Sequence, residues 1–281
     1  MKSTSLKIFA LIAILISFSQ LSFAQSVFKK GSNEVLTDMN QYLKSVNLDE
    51  GKISNKENLN NFLKLAVEDN WNDDIKFWVS AQWGTKNYNG YISKQYELRG
   101  NDLTSIGNDS RPAKTSEDDF FAINFDGDND SWVNSSFKAE QPFSILVVYK
   151  ADNSKPENVL LESSGQKVNQ IRVENNKDGK PELVIESGGK VKLLGLTDGI
   201  NYVYIEYDLN NSKVFINGKL AYNNVIGLSD FDGIQIASGM VNNKYENFKG
   251  SIYEIGIIKN TLSDQVRNDL FTLMKETYNI K

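Results

Sequence analysis

The sequence predicts a mainly β protein: an antiparallel β-sandwich of jelly-roll type, with short helices before it and a capping helix after it. Past Phe120 the chain breaks into short apolar stretches such as FSILVVY, NVLLES, GIQIAS and GSIYEIGII, several of them alternating with polar residues as strands do. Strong turn pairs separate them, namely Asp178-Gly179, Gly188-Gly189, Asn210-Asn211 and Asn217-Gly218. Asn-Gly and Asp-Gly suit the positive φ angles of tight hairpins. Many short, evenly spaced strands joined in this way favour a sandwich over a parallel sheet.

Each element follows in order. The chain opens MKSTSLKIFALIAILISFSQLSFAQ, with Lys2 and Lys7 before an apolar run and Ser22 and Ala24 framing a cut, the pattern of a secretory leader over 1–24. The run is shorter than the roughly 20 residues that span a bilayer. No cysteine near the cut and no apolar tail offers an anchor, so the expected fate is export, to the periplasm or beyond. Residues 25–74 read as a helical segment. Val35, Met39, Tyr42, Leu43 and Val46 share a helical period, as do Leu59, Phe62, Leu63, Ala66 and Val67. Two short helices over 33–68 are therefore expected, joined near Gly51, the second opened by the S-x-x-E box of Ser54 and Glu57. At Ile75 the period changes to that of a strand, through Ala81. Residues 84–118 read as long loops with short strands, and 75–281 as one jelly-roll unit. NQIRVENNKDGKPELVIESGGKVKLL and NYVYIEYDLNNSKVFINGKLAY each predict three strands. The tail TLSDQVRNDLFTLMKETY predicts a helix begun by Ser263 and Asp264, with Val266, Leu270 and Leu273 on one face.

The composition excludes several chemistries. The net charge is −5, which disfavours nucleic acid and anionic membranes as partners. The chain contains no cysteine and no histidine. Disulfides are impossible, and so are Ser-His-Asp triads, Cys-His pairs and the usual zinc sites. What remains is carboxylate, lysine or tyrosine chemistry and oxygen-ligated metals.

Three stretches in fixed order carry a resemblance. The first is AINFDGDNDSWVNSSFKAEQPFSILVVYK, a strand, an FDG turn, a second strand and an F-S-I strand. The second is TDGINYVYIEYDLNNSKVFINGKLAY, with its F-I-N-G hairpin. The third is FKGSIYEIGIIKNTLSDQVRNDLF, a closing strand followed by an L-S helix. Together, over 118–281, they resemble the laminin-G-like branch of the concanavalin A-like lectin/glucanase superfamily. Tyr202 stands where such domains often carry tryptophan, which keeps an aromatic in the core. The front part is similar to some bacterial and phage-borne lectin-like domains, which would join residues 26–117 to the same unit.

Three groups of residues are candidates for a site. In FDGDNDSW the alternate carboxylates Asp126, Asp128 and Asp130 are the composition of a Ca²⁺ loop or of a plain turn. An EF-hand is excluded, because counting from Asp126 the sixth residue is Ser131 and the twelfth Phe137. In IEYDLNN, Glu206 and Asp208 look superficially like a glucanase strand, but Asn210 and Asn211 stand where a general acid is needed. Trp83, Tyr88 and Tyr91 sit in a loop-rich region. Tyr222 and Tyr245 lie near Asn223, Asn224, Asn242 and Asn243. Aromatic rings beside asparagine suit sugars, which stack on one and hydrogen-bond to the other. The expectation is an exported, non-catalytic lectin-like module for carbohydrate, requiring no cofactor but with room for Ca²⁺ at Asp126, Asp128 and Asp130, and with Trp83, Tyr88, Tyr91, Asn242, Asn243 and Tyr245 as contacts. The alternatives are an adhesion module for an extracellular protein and, third, a polysaccharide-degrading enzyme.

Overall fold

The computed structural model describes residues 35–281 except 36, 106, 108, 118, 119, 166–168, 242 and 243. The leader read over 1–24 and the candidates Asn242 and Asn243 lie outside the described residues.

Two antiparallel sheets pack face to face, and a layer of three helices covers one of them. The covered sheet runs, edge to edge, through Lys219–Asn223, Lys213–Ile216, Asn201–Tyr207, Phe143–Ala151 and Lys249–Lys259. Strands Ile75–Ser80 and Phe120–Asp126 then share the far side of Lys249–Lys259 end to end, and Ala113–Glu117 lies beyond the second of them. The opposing sheet runs from Lys190–Leu193 through Pro181–Glu186, Gln170–Asn175, Glu157–Glu162, Phe231–Ile236 and Trp132–Ala139. It continues through Leu103–Ser105, Tyr91–Gln95 and Gly84–Tyr88 to Lys52–Ile53. The pair Tyr91↔Ala113 joins the two sheets along one side. A small ribbon, Ser238–Val241 with Lys244–Asn247, folds over Glu157–Glu162.

The three layers explain why several strands lack alternation. On Phe143–Ala151, Ile145, Val147 and Tyr149 enter the core between the sheets, while Leu146 and Val148 enter a second core under the helices. Residues 201–207 divide likewise, with Val203 and Ile205 inward and Tyr202 and Tyr204 beneath the helices. A strand buried on both faces reads as a continuous apolar run.

The cover consists of α1 (37–48), α2 (Lys56–Glu68) and α3 (Asp264–Tyr278). Leu59, Phe62 and Leu63 of α2 fill the second core along the stripe read from the sequence; from α3 it takes Leu270, as expected, and Met274, which was not, while Val266 and Leu273 pack against it half-buried. Ser263 caps α3, its side chain accepting from the Val266 amide. The cap of α2 is Asn55 rather than Ser54: Asn55 keeps an extended backbone (φ −139°) and its Oδ1 accepts from the Asn58 amide at 2.9 Å. Ser54 is left to accept from Lys114 Nζ at 2.6 Å. Residues 84–118, expected as loops with short strands, supply four strands. The hairpin at Asn217-Gly218 has φ of 50° and 76°, as its sequence demands. Tyr202 is fully buried, its ring centroid 5.0 Å from that of Phe271. No helix among the described residues is long and apolar enough to cross a membrane.

Candidate functional site

The helices do not cover the whole outer face of their sheet. Val148, Tyr253 and Ala122 lie beneath them. Two positions further along the same strands, and so on the same face, Lys150, Ser251 and Asn124 lie beyond the cover. Apolar residues give way to polar ones at that boundary, and two depressions open there.

The first depression, about 370 Å³, is lined by Tyr91, Asp109, Arg111, Ala113, Asn124, Asp126 and Asp130. Its aromatic wall is Tyr91, the last residue of the hairpin Tyr88-Asn89-Gly90-Tyr91. Asn89 and Gly90 take φ of 51° and 87°, the geometry of a tight two-residue turn, which sets Tyr88 opposite Tyr91. Both rings are solvent-facing, 60% and 53% exposed. The Arg111 guanidinium lies 5.3 Å from the Tyr88 ring centroid, within cation–π range.

The facing wall is the FDGDNDSW turn. Phe125 and Trp132 anchor it at either end, their rings 5.4 Å apart in the inter-sheet core. Between them Gly127 takes φ of 86°. Asp126 Oδ1 accepts from the amides of Asp128 (2.8 Å) and Asn129 (3.4 Å), and Asp130 Oδ2 accepts from the amide of Asp126 (3.1 Å). The carboxylates therefore serve the turn, as short acidic side chains do. Asp128 is exposed, and its carbonyl accepts from Asn247 Nδ2, tying the turn to the ribbon. Among the described residues no group of three or more such side chains is placed to hold a metal ion. Asp130 is buried, and burial pushes its carboxyl up to about 6 against the bond from the Asp126 amide, with Asp126 and Asp128 adding to the rise.

The second depression, about 580 Å³, meets the first at Asn124 and Asp126. Lys150, Asp152, Asn153, Asp198, Lys249 and Ser251 complete most of its lining. Lys249 pairs with Asp152 at 3.0 Å. Asn153 Nδ2 donates to Asp198 Oδ1 at 2.7 Å.

Of the residues predicted for a site, Tyr91, Asp126 and Asp130 come together, with Tyr88 beside them. Trp83 does not. It is fully buried, its Nε1 donating to Asn58 Oδ1 at 2.8 Å and its ring 5.1 Å from that of Phe62. The polar sequence around Trp83 suggested a loop, but α1 and α2 fold over it, and it is a core residue. Tyr245 is 72% exposed on the ribbon, opposite Met240, and lines neither depression. Tyr222 is half-buried, its hydroxyl donating to the Val225 carbonyl at 3.1 Å. Glu206 is buried under α3, where Arg267 (3.2 Å) and Lys213 (3.6 Å) compensate its charge. Asp109, Arg111 and Asn124 were not foreseen. Their only sequence signal is Asn124 as a polar position in an otherwise apolar strand.

No protein-family model matches the chain, and no curated protein matches it. Solved structures do resemble it. The sialidase of Trypanosoma rangeli in complex with 2,3-difluoro-KDN superposes with a TM-score of 0.53 at 11% identity, over 73% of this chain and 33% of the sialidase. A GH54 α-L-arabinofuranosidase soaked with 4-nitrophenyl α-L-arabinofuranoside gives a TM-score of 0.53 at 10% identity, over 67% of this chain and 51% of that one. The matched region thus amounts to about a third of the first enzyme and half of the second. At such identities the likeness is one of fold, that of an antiparallel β-sandwich.

Proposed function

We propose that this chain is an exported, non-catalytic lectin-like module that binds carbohydrate in the cleft between the Tyr88–Tyr91 hairpin and the Asp126–Asp130 turn. The observation that carries this reading is the pairing of two exposed tyrosine rings with a polar cleft. Sugar rings present C–H faces that pack on aromatic surfaces. Their hydroxyls both donate and accept, which suits the mixture of Asp109, Arg111, Asn124 and Asp126 around the cleft. Proteins of similar fold act on sugars, among them the sialidase and the arabinofuranosidase, which adds support. The laminin-G-like resemblance belongs to the same proposal, as does export by the leader over 1–24. The absence of catalysis is inferred from Glu206, which is committed to Arg267 under a helix. Binding is taken to need no cation, because Asp126 and Asp130 already serve the backbone of their own turn.

A second reading, docking of an extracellular protein, is favoured by exposed Leu194, Leu220, Val225 and Leu228, Leu194 directly after the edge strand Lys190–Leu193 and Leu220 within the edge strand Lys219–Asn223. A glycan array, run with calcium and again with chelator, separates the two. Binding that survives chelation and is lost in Tyr91→Ala is the expected result. A blank array under both conditions overturns the carbohydrate reading in favour of the protein one.

A further inference from the structure

The strand register extends the cleft into something longer. Tyr91 stands opposite Ala113, Ala113 opposite Asn124, Asn124 opposite Ser251, and Ser251 opposite Lys150. Residues directly opposite in an antiparallel pair lie on one face of the sheet. These five side chains therefore form a single row across five neighbouring strands. With strands about 4.8 Å apart, its four steps cover about 19 Å, the span of several sugar rings in line. The middle of the row is low. Ala113 and Ser251 are short, and Asn124 Nδ2 leans toward Ser251 Oγ at 3.5 Å. The ring at one end is Tyr91, and the row passes under both depressions, which share Asn124 and Asp126.

We infer that this trough binds a linear, uncharged oligosaccharide several units long, laid across the strands from Tyr91 to the Asn153–Asp198 pair. The inference rests on the carbohydrate reading and adds length, direction and charge class to it. Length follows from the row, which a single sugar on Tyr91 would leave mostly empty. Direction follows from chemistry that differs along it: a stacking surface at Tyr91, then hydrogen-bonding groups at Asn124, Asp126, Asn153 and Asp198. Charge class follows from the lining, because Lys249 is paired with Asp152 and across both depressions Asp109, Asp126, Asp130, Asp152 and Asp198 face Lys150, Lys249 and Arg111, a small acidic excess that disfavours an anionic chain. No strong field of one sign is left to select a charged chain.

The test is titration calorimetry with graded ladders, one to six units long, of cello-, xylo-, manno- and arabino-oligosaccharides, with polygalacturonate as a charged chain. At least one neutral ladder is expected to gain tenfold or more in affinity between one and four units and then level off. The double variant Asn153→Ala/Asp198→Ala should lose fivefold or more for the longest members of that ladder and leave the shortest unchanged. Asp198 is exposed and Asn153 half-buried, and among the described residues their side chains hydrogen-bond to each other, so the fold should survive, which a thermal melt checks. Equal affinity at every length, or a double variant that weakens all lengths alike or none, overturns the inference while the carbohydrate reading stands. Preference for polygalacturonate overturns its charge class. If no neutral ladder binds the inference falls, and the carbohydrate reading falls with it only when the glycan array is also blank.

Discussion

The hydroxyl of Tyr278, on the last turn of α3, donates a hydrogen bond to the carboxylate of Glu254 in the middle of the covered sheet. Trp78 Nε1 (2.8 Å) and Ser80 Oγ (2.6 Å) donate to the same group. One buried acid thus ties the C-terminal helix to two strands. Complete burial pushes Glu254 up to about 7, outweighing the three donors. Glu97 is likewise pushed up to about 7 by burial, against the amides of Asn101, Trp78 and Arg99.

A pH dependence follows. Both acids bind a proton more tightly folded than unfolded, where a glutamate titrates near 4.3. Their stabilising contribution is fully present below that unfolded value and is lost as pH rises through about 7. Asp152, lowered to about 2 by its bonds to Ser154 and Lys249, works in the opposite sense, and its contribution is lost only in stronger acid. Thermal melts should therefore show the midpoint rising by several degrees from pH 8 to about pH 5, then falling below about pH 4. Glu254→Gln should flatten the upper part of that profile. A midpoint that rises between pH 5 and 8 would contradict the assignment.

Trp83 separates core from site. Its burial against Phe62 and Tyr42 makes Trp83→Ala a large-to-small core change, costing about 3–5 kcal/mol in urea unfolding. Tyr88→Ala, at an exposed position, should stay within about 0.5 kcal/mol of the parent. Comparable losses for the two would mean that one of these placements is wrong.

Arg267 and Glu206 test whether the second conspicuous acid is structural. Arg267 Nη1 lies 3.2 Å from Glu206 Oε1, and the guanidinium sits 3.8 Å from the Phe215 ring centroid. Arg267→Ala leaves Glu206 buried with only Lys213 beside it and should cost about 3–5 kcal/mol. Replacing both, Arg267→Met with Glu206→Met, should recover much of that loss, since an apolar pair does not carry the desolvation cost of an ion pair. A double variant no more stable than Arg267→Ala would remove the structural reading of Glu206.

The strands were legible because their turns are chemically explicit. Asn217-Gly218 and Gly188-Gly189 mark hairpins whatever surrounds them. The third layer was less so. FSILVVY says that a strand is buried on both faces, but not that one face meets a second sheet and the other meets helices from opposite ends of the chain. Trp83 shows the consequence: its neighbours Gln82, Gly84 and Thr85 suggest a surface loop, whereas its partners Asn58 and Phe62 come from α2. The site was legible in halves. Tyr88, Tyr91 and the aspartates of FDGDNDSW could be named singly. Their meeting depends on Ala113 pairing with Asn124 in adjacent strands and on Tyr91 pairing with Ala113 across the two sheets, the second a register that no local pattern encodes.

The hairpin itself provides the most direct test of the proposed site. Stacking on an aromatic ring is worth about 1 kcal/mol, so Tyr91→Ala should weaken glycan binding about fivefold, while Tyr91→Phe, which keeps the ring, should lose much less. Tyr88→Ala should have the smaller effect of the two alanine changes, because Tyr88 faces Arg111 rather than the floor of the cleft. Since both side chains are exposed, unfolding midpoints should hardly move, and calorimetric titration against a glycan selected on the array reads binding alone. If Tyr91→Ala binds as well as the parent, this cleft is not where the sugar sits, and the exposed Tyr245 on the neighbouring ribbon becomes the residue to replace next.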